Sequence, residues 1–106
     1  SNEAKIELLG VKESTLLVAG AVSENTAREM AEGALHSKRA DISISITGIA
    51  GPDGGSAEKP VGTVWFGIAS QHGKTETFMF HFKGDREAIR MASIEQALIK
   101  LKEYLK

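Results

Sequence analysis

The sequence predicts a layered α/β domain, and three observations predict it. Between Asp41 and Phe82 the hydrophobic pattern repeats every two residues, as in Ile42, Ile44 and Ile46 against Ser43, Ser45 and Thr47. On either side the period lengthens to three or four, as in Ala27, Met30, Ala31, Ala34 and Leu35. Between two of the strand-like runs, Ile46 to Gly62 holds five of the eleven glycines and both prolines, a density that marks a sharply turning connection.

In chain order, residues 3–9 are strong helix formers with Gly10 as their stop, and residues 13–19 read as a second short helix ended by Gly20. Ser23 is a good N-cap for a third helix, with Glu24 in its first turn. Its apolar stripe is the one named above, and Arg28, Glu29 and Glu32 face away. The strand from Ile42 carries one apolar face and one face of small hydroxyls. A second strand runs from Val61 to Ser70, and a third from Lys74 to Phe82 with Phe78, Phe80 and Phe82 on one face. A two-residue His72-Gly73 turn joins them as an antiparallel hairpin. Asp85 caps a last helix that reaches the C-terminus, with Met91, Ile94, Leu98, Leu101 and Leu105 as its inward stripe. The order is α-α-α-β-β-β-α. The expected architecture is an α/β/α layering of one domain over residues 1–106, with a mixed sheet that includes the hairpin. A sheet this short leaves edges open, so it is expected to be incomplete.

Composition narrows the function. The chain has 106 residues, 42% hydrophobic and 25% charged, in the range of a soluble globular domain. A net charge of −1 and a pI near 6.3, with no Lys/Arg-rich block, argue against a nucleic-acid partner. With no cysteine, disulfides and thiolate chemistry are excluded. His36, His72 and His81 lack ligand spacing, so neither a metal nor another cofactor is expected. No apolar run reaches the length of a membrane span, and a cytoplasmic setting is expected.

The glycine loop is neither a Walker loop, since the Gly-Lys-Ser/Thr ending is missing, nor a dinucleotide fingerprint, since Gly48, Gly51, Gly54 and Gly55 are wrongly spaced. It is either a long surface connection or a cradle whose backbone N–H groups receive an anion. Arg86 stands in the first turn of the last helix, where a cation opposes the helix dipole. Either it pairs with Asp85 or Glu87, or it shares an anion with the N–H groups at the helix start. On pattern alone Lys5 is a solvated lysine of a short helix.

Four blocks carry a more specific signal: "SNEAKIELLGV" (1–11), "GAVSENTAREMAEGAL" (20–35), "SITGIAGPDGGSAEKPVGTVWFGIA" (45–69) and "GDREAIR" (84–90). Together, in this order, they resemble the CinA C-terminal-domain family, which includes the nicotinamide-nucleotide amidohydrolases, or NMN deamidases. The resemblance implies hydrolysis of the carboxamide of nicotinamide mononucleotide to nicotinate mononucleotide and ammonia, at a site of Ser-Lys type. In that pattern a serine from a Glu-Ser-x-Thr-Gly-Gly segment attacks the amide, and a Tyr-Ser-Asn-x-x-Lys segment assists it. Ser1-Asn2-Glu3-Ala4-Lys5 matches the end of the second segment, so the resemblance gives Lys5 the base role and Asn2 a place in the pocket. It also gives substrate contacts to Thr47, Gly48, Ile49 and Ala50 where the first strand ends. Gly51, Pro52, Gly54 and Gly55 of the loop follow, then Arg86, with Lys59 beside them.

The serine and the tyrosine lie upstream in that pattern, and no serine of this chain replaces them. The resemblance therefore implies that the 106 residues are the C-terminal part of the domain, with the N-terminal part of the fold missing, and that they supply the lysine and the nucleotide loop but not the nucleophile and are inactive alone. A homo-oligomer is expected. The competing readings are a non-catalytic nucleotide-binding module, which the missing serine favours for the chain by itself, and an interaction protein using an exposed sheet edge.

Overall fold

The structure is a computed structural model that describes residues 21–37 and 40–106. The helices expected over 3–9 and 13–19 lie outside the described residues, as do Asn2 and Lys5. What is described runs α1 (Glu24–Ser37), β1 (Ile42–Gly48), β2 (Thr63–Ser70), β3 (Glu76–His81) and α2 (Arg86–Tyr104). The strands form one sheet in the order β1-β2-β3. Layered α/β architecture and the antiparallel hairpin are as expected, and among the described residues every strand pairing is antiparallel. No described helix is long and apolar enough to cross a membrane.

Local chemistry sets the element starts. The Ser23 Oγ accepts from the Thr26 N–H at 3.2 Å and opens α1. The Asp85 carboxylate accepts from the Ala88 N–H at 2.9 Å and opens α2. The hairpin turn is longer than the two residues expected: pairing of β2 with β3 ends at Ile68↔Glu76. A two-residue type I′ turn needs positive φ at both central positions, and Gly73 is not among the glycines with positive φ. Instead the Tyr104 hydroxyl, 2.8 Å from the Ser70 Oγ, packs the end of α2 against this turn, and a Cβ on Gly73 would stand 3.0 Å from that hydroxyl.

The register divides the sheet into two unlike faces. Ser43, Ser45 and Thr47 lie opposite Ala69, Gly67 and Trp65 and face α1. The Ser43 hydroxyl donates to the Ala31 carbonyl. That of Ser45 donates to the Ala27 carbonyl at 2.6 Å, and that of Thr47 to the Ala21 carbonyl at 2.7 Å. The hydroxyl face is thus covered by the helix, the Ser43 and Ser45 hydroxyls satisfied by the helix's own backbone and that of Thr47 by the residue Ala21 that precedes it. Gly67 lets the helix come this close, since a Cβ there would stand 2.5 Å from the Ala27 carbonyl oxygen. Two carboxylates of α1 reach the β3 edge: Glu24 accepts from the Thr77 hydroxyl at 2.5 Å and Glu32 from that of Thr75 at 2.6 Å.

The other face carries the bulk. Val64, Phe66, Ile89 and Ala97 form a buried cluster, with Ile44, Ala50, Val61, Phe78, Phe80 and Phe82 packed against it. Phe66 stacks on Phe78 with ring centroids 5.0 Å apart, and Phe80 on Phe82 at 5.7 Å. The Lys100 ammonium lies over Phe78 at 5.2 Å from the centroid. Here the sequence reading of α2 needs correction. The buried residues of α2 are Ile89, Ser93 and Ala97, while Met91, Ile94, Leu98 and Leu105 are 58%, 50%, 61% and 66% exposed. Of the stripe taken as inward these four face out, and Leu101 is half-buried. The stripe that packs on the phenylalanine face is the narrower one of Ile89, Ser93 and Ala97.

Candidate active site

The C-terminal end of β1, the glycine loop and the start of α2 converge. The loop is closed at its base by backbone bonds, Ile49 N–H to the Thr63 carbonyl at 3.0 Å and Gly62 N–H to the Ile49 carbonyl at 2.7 Å. At its tip the Ser56 N–H donates to the Lys59 carbonyl at 2.9 Å, and the Lys59 N–H to the Ser56 Oγ at 3.0 Å. Between base and tip, Gly51, Gly54 and Gly55 have φ of 78°, 92° and 86°, backbone that L side chains rarely adopt. The Gly51–Pro52 peptide is cis.

Arg86 reaches across to this loop. Its Nη1 donates to the Gly51 carbonyl at 3.1 Å. Among the described residues it forms no ion pair with Asp85 or Glu87, and the Asp85 carboxylate is engaged as the helix cap. One guanidinium N–H thus fixes the loop to the helix start, and the others remain available to a ligand. Pro52, Gly54 and Gly55 are exposed beside it, and no hydrogen bond holds the N–H groups of Gly54 and Gly55 among the described residues.

Beneath the loop lies a groove of about 220 Å³, lined by Ile46, Gly48, Ala50, Val64, Ile89, Arg90, Ser93 and Ile94. Gly48 and Ala50 are thereby placed on the groove, and Ile49 at the loop base. Thr47 is not on it: its hydroxyl lies on the opposite face of the sheet, bonded to the Ala21 carbonyl. Asn2 and Lys5 lie outside the described residues. Arg90 and Ser93 were absent from the sequence reading. Arg90 is one helical turn from Arg86 and on the same side, a spacing visible in the sequence once Arg86 is singled out. Ser93 gave no such signal, and its hydroxyl donates to the Ile89 carbonyl at 2.7 Å. Among the described residues no group of three or more His, Cys, Asp or Glu is placed to hold a metal.

The model of the CinA C-terminal domain matches residues 1–105. The chain belongs to the CinA C-terminal-domain family. A relative from Enterobacter agglomerans, named nicotinamide-nucleotide amidohydrolase PncC, is 57% identical over the whole chain, which covers 65% of that protein. The PncC of Escherichia coli K12 is 56% identical over 92% of the chain and 59% of its own length. Among solved structures, the competence/damage inducible protein of Agrobacterium tumefaciens is 43% identical with a TM-score of 0.95, covering all of this chain and 65% of that one. The chain thus spans about three fifths to two thirds of the length of these relatives.

Proposed function

We propose that this chain is the nucleotide-binding and base-supplying part of an amidohydrolase that converts nicotinamide mononucleotide and water to nicotinate mononucleotide and ammonia. The support is the identity to relatives named for that activity over the whole chain, on a fold that joins the glycine loop to Arg86. In this reading a serine hydroxyl attacks the carboxamide carbon while the Lys5 amine takes its proton. A serine is a poor nucleophile until a base does so, and a lysine serves once burial lowers its pKa. The tetrahedral oxyanion collapses, the proton passes to the amide nitrogen, and ammonia leaves. Water then hydrolyses the resulting ester and frees the carboxylate. The serine belongs to a segment outside these 106 residues. Asn2, Gly48, Ala50 and the loop line the pocket, and the Arg86 guanidinium with the Gly54 and Gly55 N–H groups holds the phosphate. A cytoplasmic setting and a homo-oligomer belong to the same proposal.

The test joins the chain to the remaining third of the E. agglomerans relative and measures ammonia release. Turnover of nicotinamide mononucleotide is expected, and it survives a chelator. Lys5→Ala lowers turnover by about two to four orders of magnitude in a folded protein. Arg86→Ala weakens the nucleotide about ten- to a hundredfold and leaves the phosphate-free nucleoside nearly unchanged. Near-normal turnover of Lys5→Ala removes the lysine from the mechanism, and equal loss for both ligands makes Arg86 a loop anchor only.

A further inference from the structure

The glycine loop returns to the sheet through a four-residue turn. The Thr63 N–H donates to the Pro60 carbonyl at 3.0 Å, and Gly62, third in the turn, has φ of 99°. Positive φ at that position marks a type II turn, which differs from type I in the orientation of its central peptide. Here that peptide joins Val61 to Gly62, and it is tied at both ends. The Gly62 N–H donates to the Ile49 carbonyl at 2.7 Å. The Val61 carbonyl lies 3.1 Å from Nε2 of His81, the last residue of β3. A carbonyl only accepts, so this Nε2 carries the proton and donates.

Val61 is also the residue against which the loop leans. A Cβ on Gly51 would stand 2.7 Å from the Val61 Cγ1, and one on Gly55 would stand 2.9 Å from the Val61 backbone nitrogen. Gly51 in turn offers the carbonyl that receives Arg86. One line of contacts thus runs from His81 through Val61 to Gly51 and Arg86, with a branch to Gly55.

We propose that His81 is a positioning residue for the glycine loop. By holding the Val61 carbonyl it keeps the turn in its type II form, and with it the Gly51 and Gly55 backbone beside Arg86 that receives a phosphate. His81 acts through Val61 and not on the ligand. The hold on the loop stands on these contacts, and only its consequence for a phosphate rests on the amidohydrolase reading.

The experiment uses the chain joined to the remaining third of the E. agglomerans relative. His81→Phe removes the donor and keeps a ring at an exposed position, and circular dichroism checks that the variant is folded. The amide resonances of Gly51, Gly55 and Gly62 are expected to move, while those of Ala27 and Ala31 in α1 stay in place. The KM for nicotinamide mononucleotide rises about two- to tenfold, the size of one exposed hydrogen bond. The kcat and the affinity for the phosphate-free nucleoside stay unchanged. His81→Gln, whose amide nitrogen can take the place of Nε2, restores the resonances and the KM. His72→Phe, in the exposed turn at the other end of the β2–β3 pair, alters neither. The proposal is overturned by loop resonances that His81→Phe leaves in place, or by an unchanged KM. It is equally overturned by a loss shared with the nucleoside, by a fall in kcat, or by a His81→Gln variant no better than His81→Phe. If the unsubstituted protein neither binds nor hydrolyses the nucleotide, the amidohydrolase reading falls. The loop resonances and their rescue by His81→Gln then decide by themselves whether His81 holds the loop.

Discussion

The two faces of the sheet solve the same problem with opposite materials. Under α1 the strands present Ser43, Ser45, Thr47 and Gly67, and the helix answers with Ala27 and Ala31, so backbone and strand hydroxyls come within hydrogen-bond reach. Under α2 the strands present Val64, Phe66, Phe78 and Phe80, and the helix stands off. The close face holds its helix by directional bonds between small groups. The bulky face holds its helix by apolar burial, and the remaining space is the groove below the glycine loop. Close packing and open space are thus partitioned between the two sides of one three-stranded sheet.

The largest expected effect is on the bulky face. Phe66→Ala empties the centre of the aromatic cluster and lowers stability by about 3–5 kcal/mol, read by urea unfolding. Next comes Gly67→Val on the close face. Its side chain meets the Ala27 carbonyl, backbone that yields only by moving the helix, at a cost of about 1–3 kcal/mol. A loss as large as that of Phe66→Ala would mean that the two faces unfold as one unit. Ser45→Ala removes one hydroxyl-to-carbonyl bond and costs about 1 kcal/mol. No measurable cost would show that the close face is held by its small size and not by its bonds. Smallest of all, Leu98→Gln on the outer stripe changes the stability of the chain alone by within about 0.5 kcal/mol.

The sequence disclosed this comparison only in part. Ser23 and Asp85 as caps, the two-residue period of β1 and the common face of Phe78, Phe80 and Phe82 were legible, because each is set by local chemistry. The burial of the hydroxyl face was not, since an alternation says that two faces differ without saying what covers each. The outward stripe of α2 misled for a related reason. The rule that the larger apolar stripe points inward assumes that every partner is in view, and Ile89, Ser93 and Ala97 make a weak stripe beside five large residues. At the site, glycine density located the loop and dipole conflict located Arg86. Their mutual bond through the Gly51 carbonyl depends on the path of a loop of fourteen residues between β1 and β2, which no local rule supplies.

That loop is fastened twice, at its base by Ile49 with Gly62 and Thr63, and at its tip by Ser56 with Lys59. Residues 52–55 therefore form a spacer between two independent knots. Adding or removing a residue there lengthens or shortens the reach of the tip and leaves the sheet register untouched, and doubling a loop's length costs only about 0.6 kcal/mol. The spacer is an adjustable arm, through which a protein engineer can change how far the loop tip projects without redesigning the sheet beneath it.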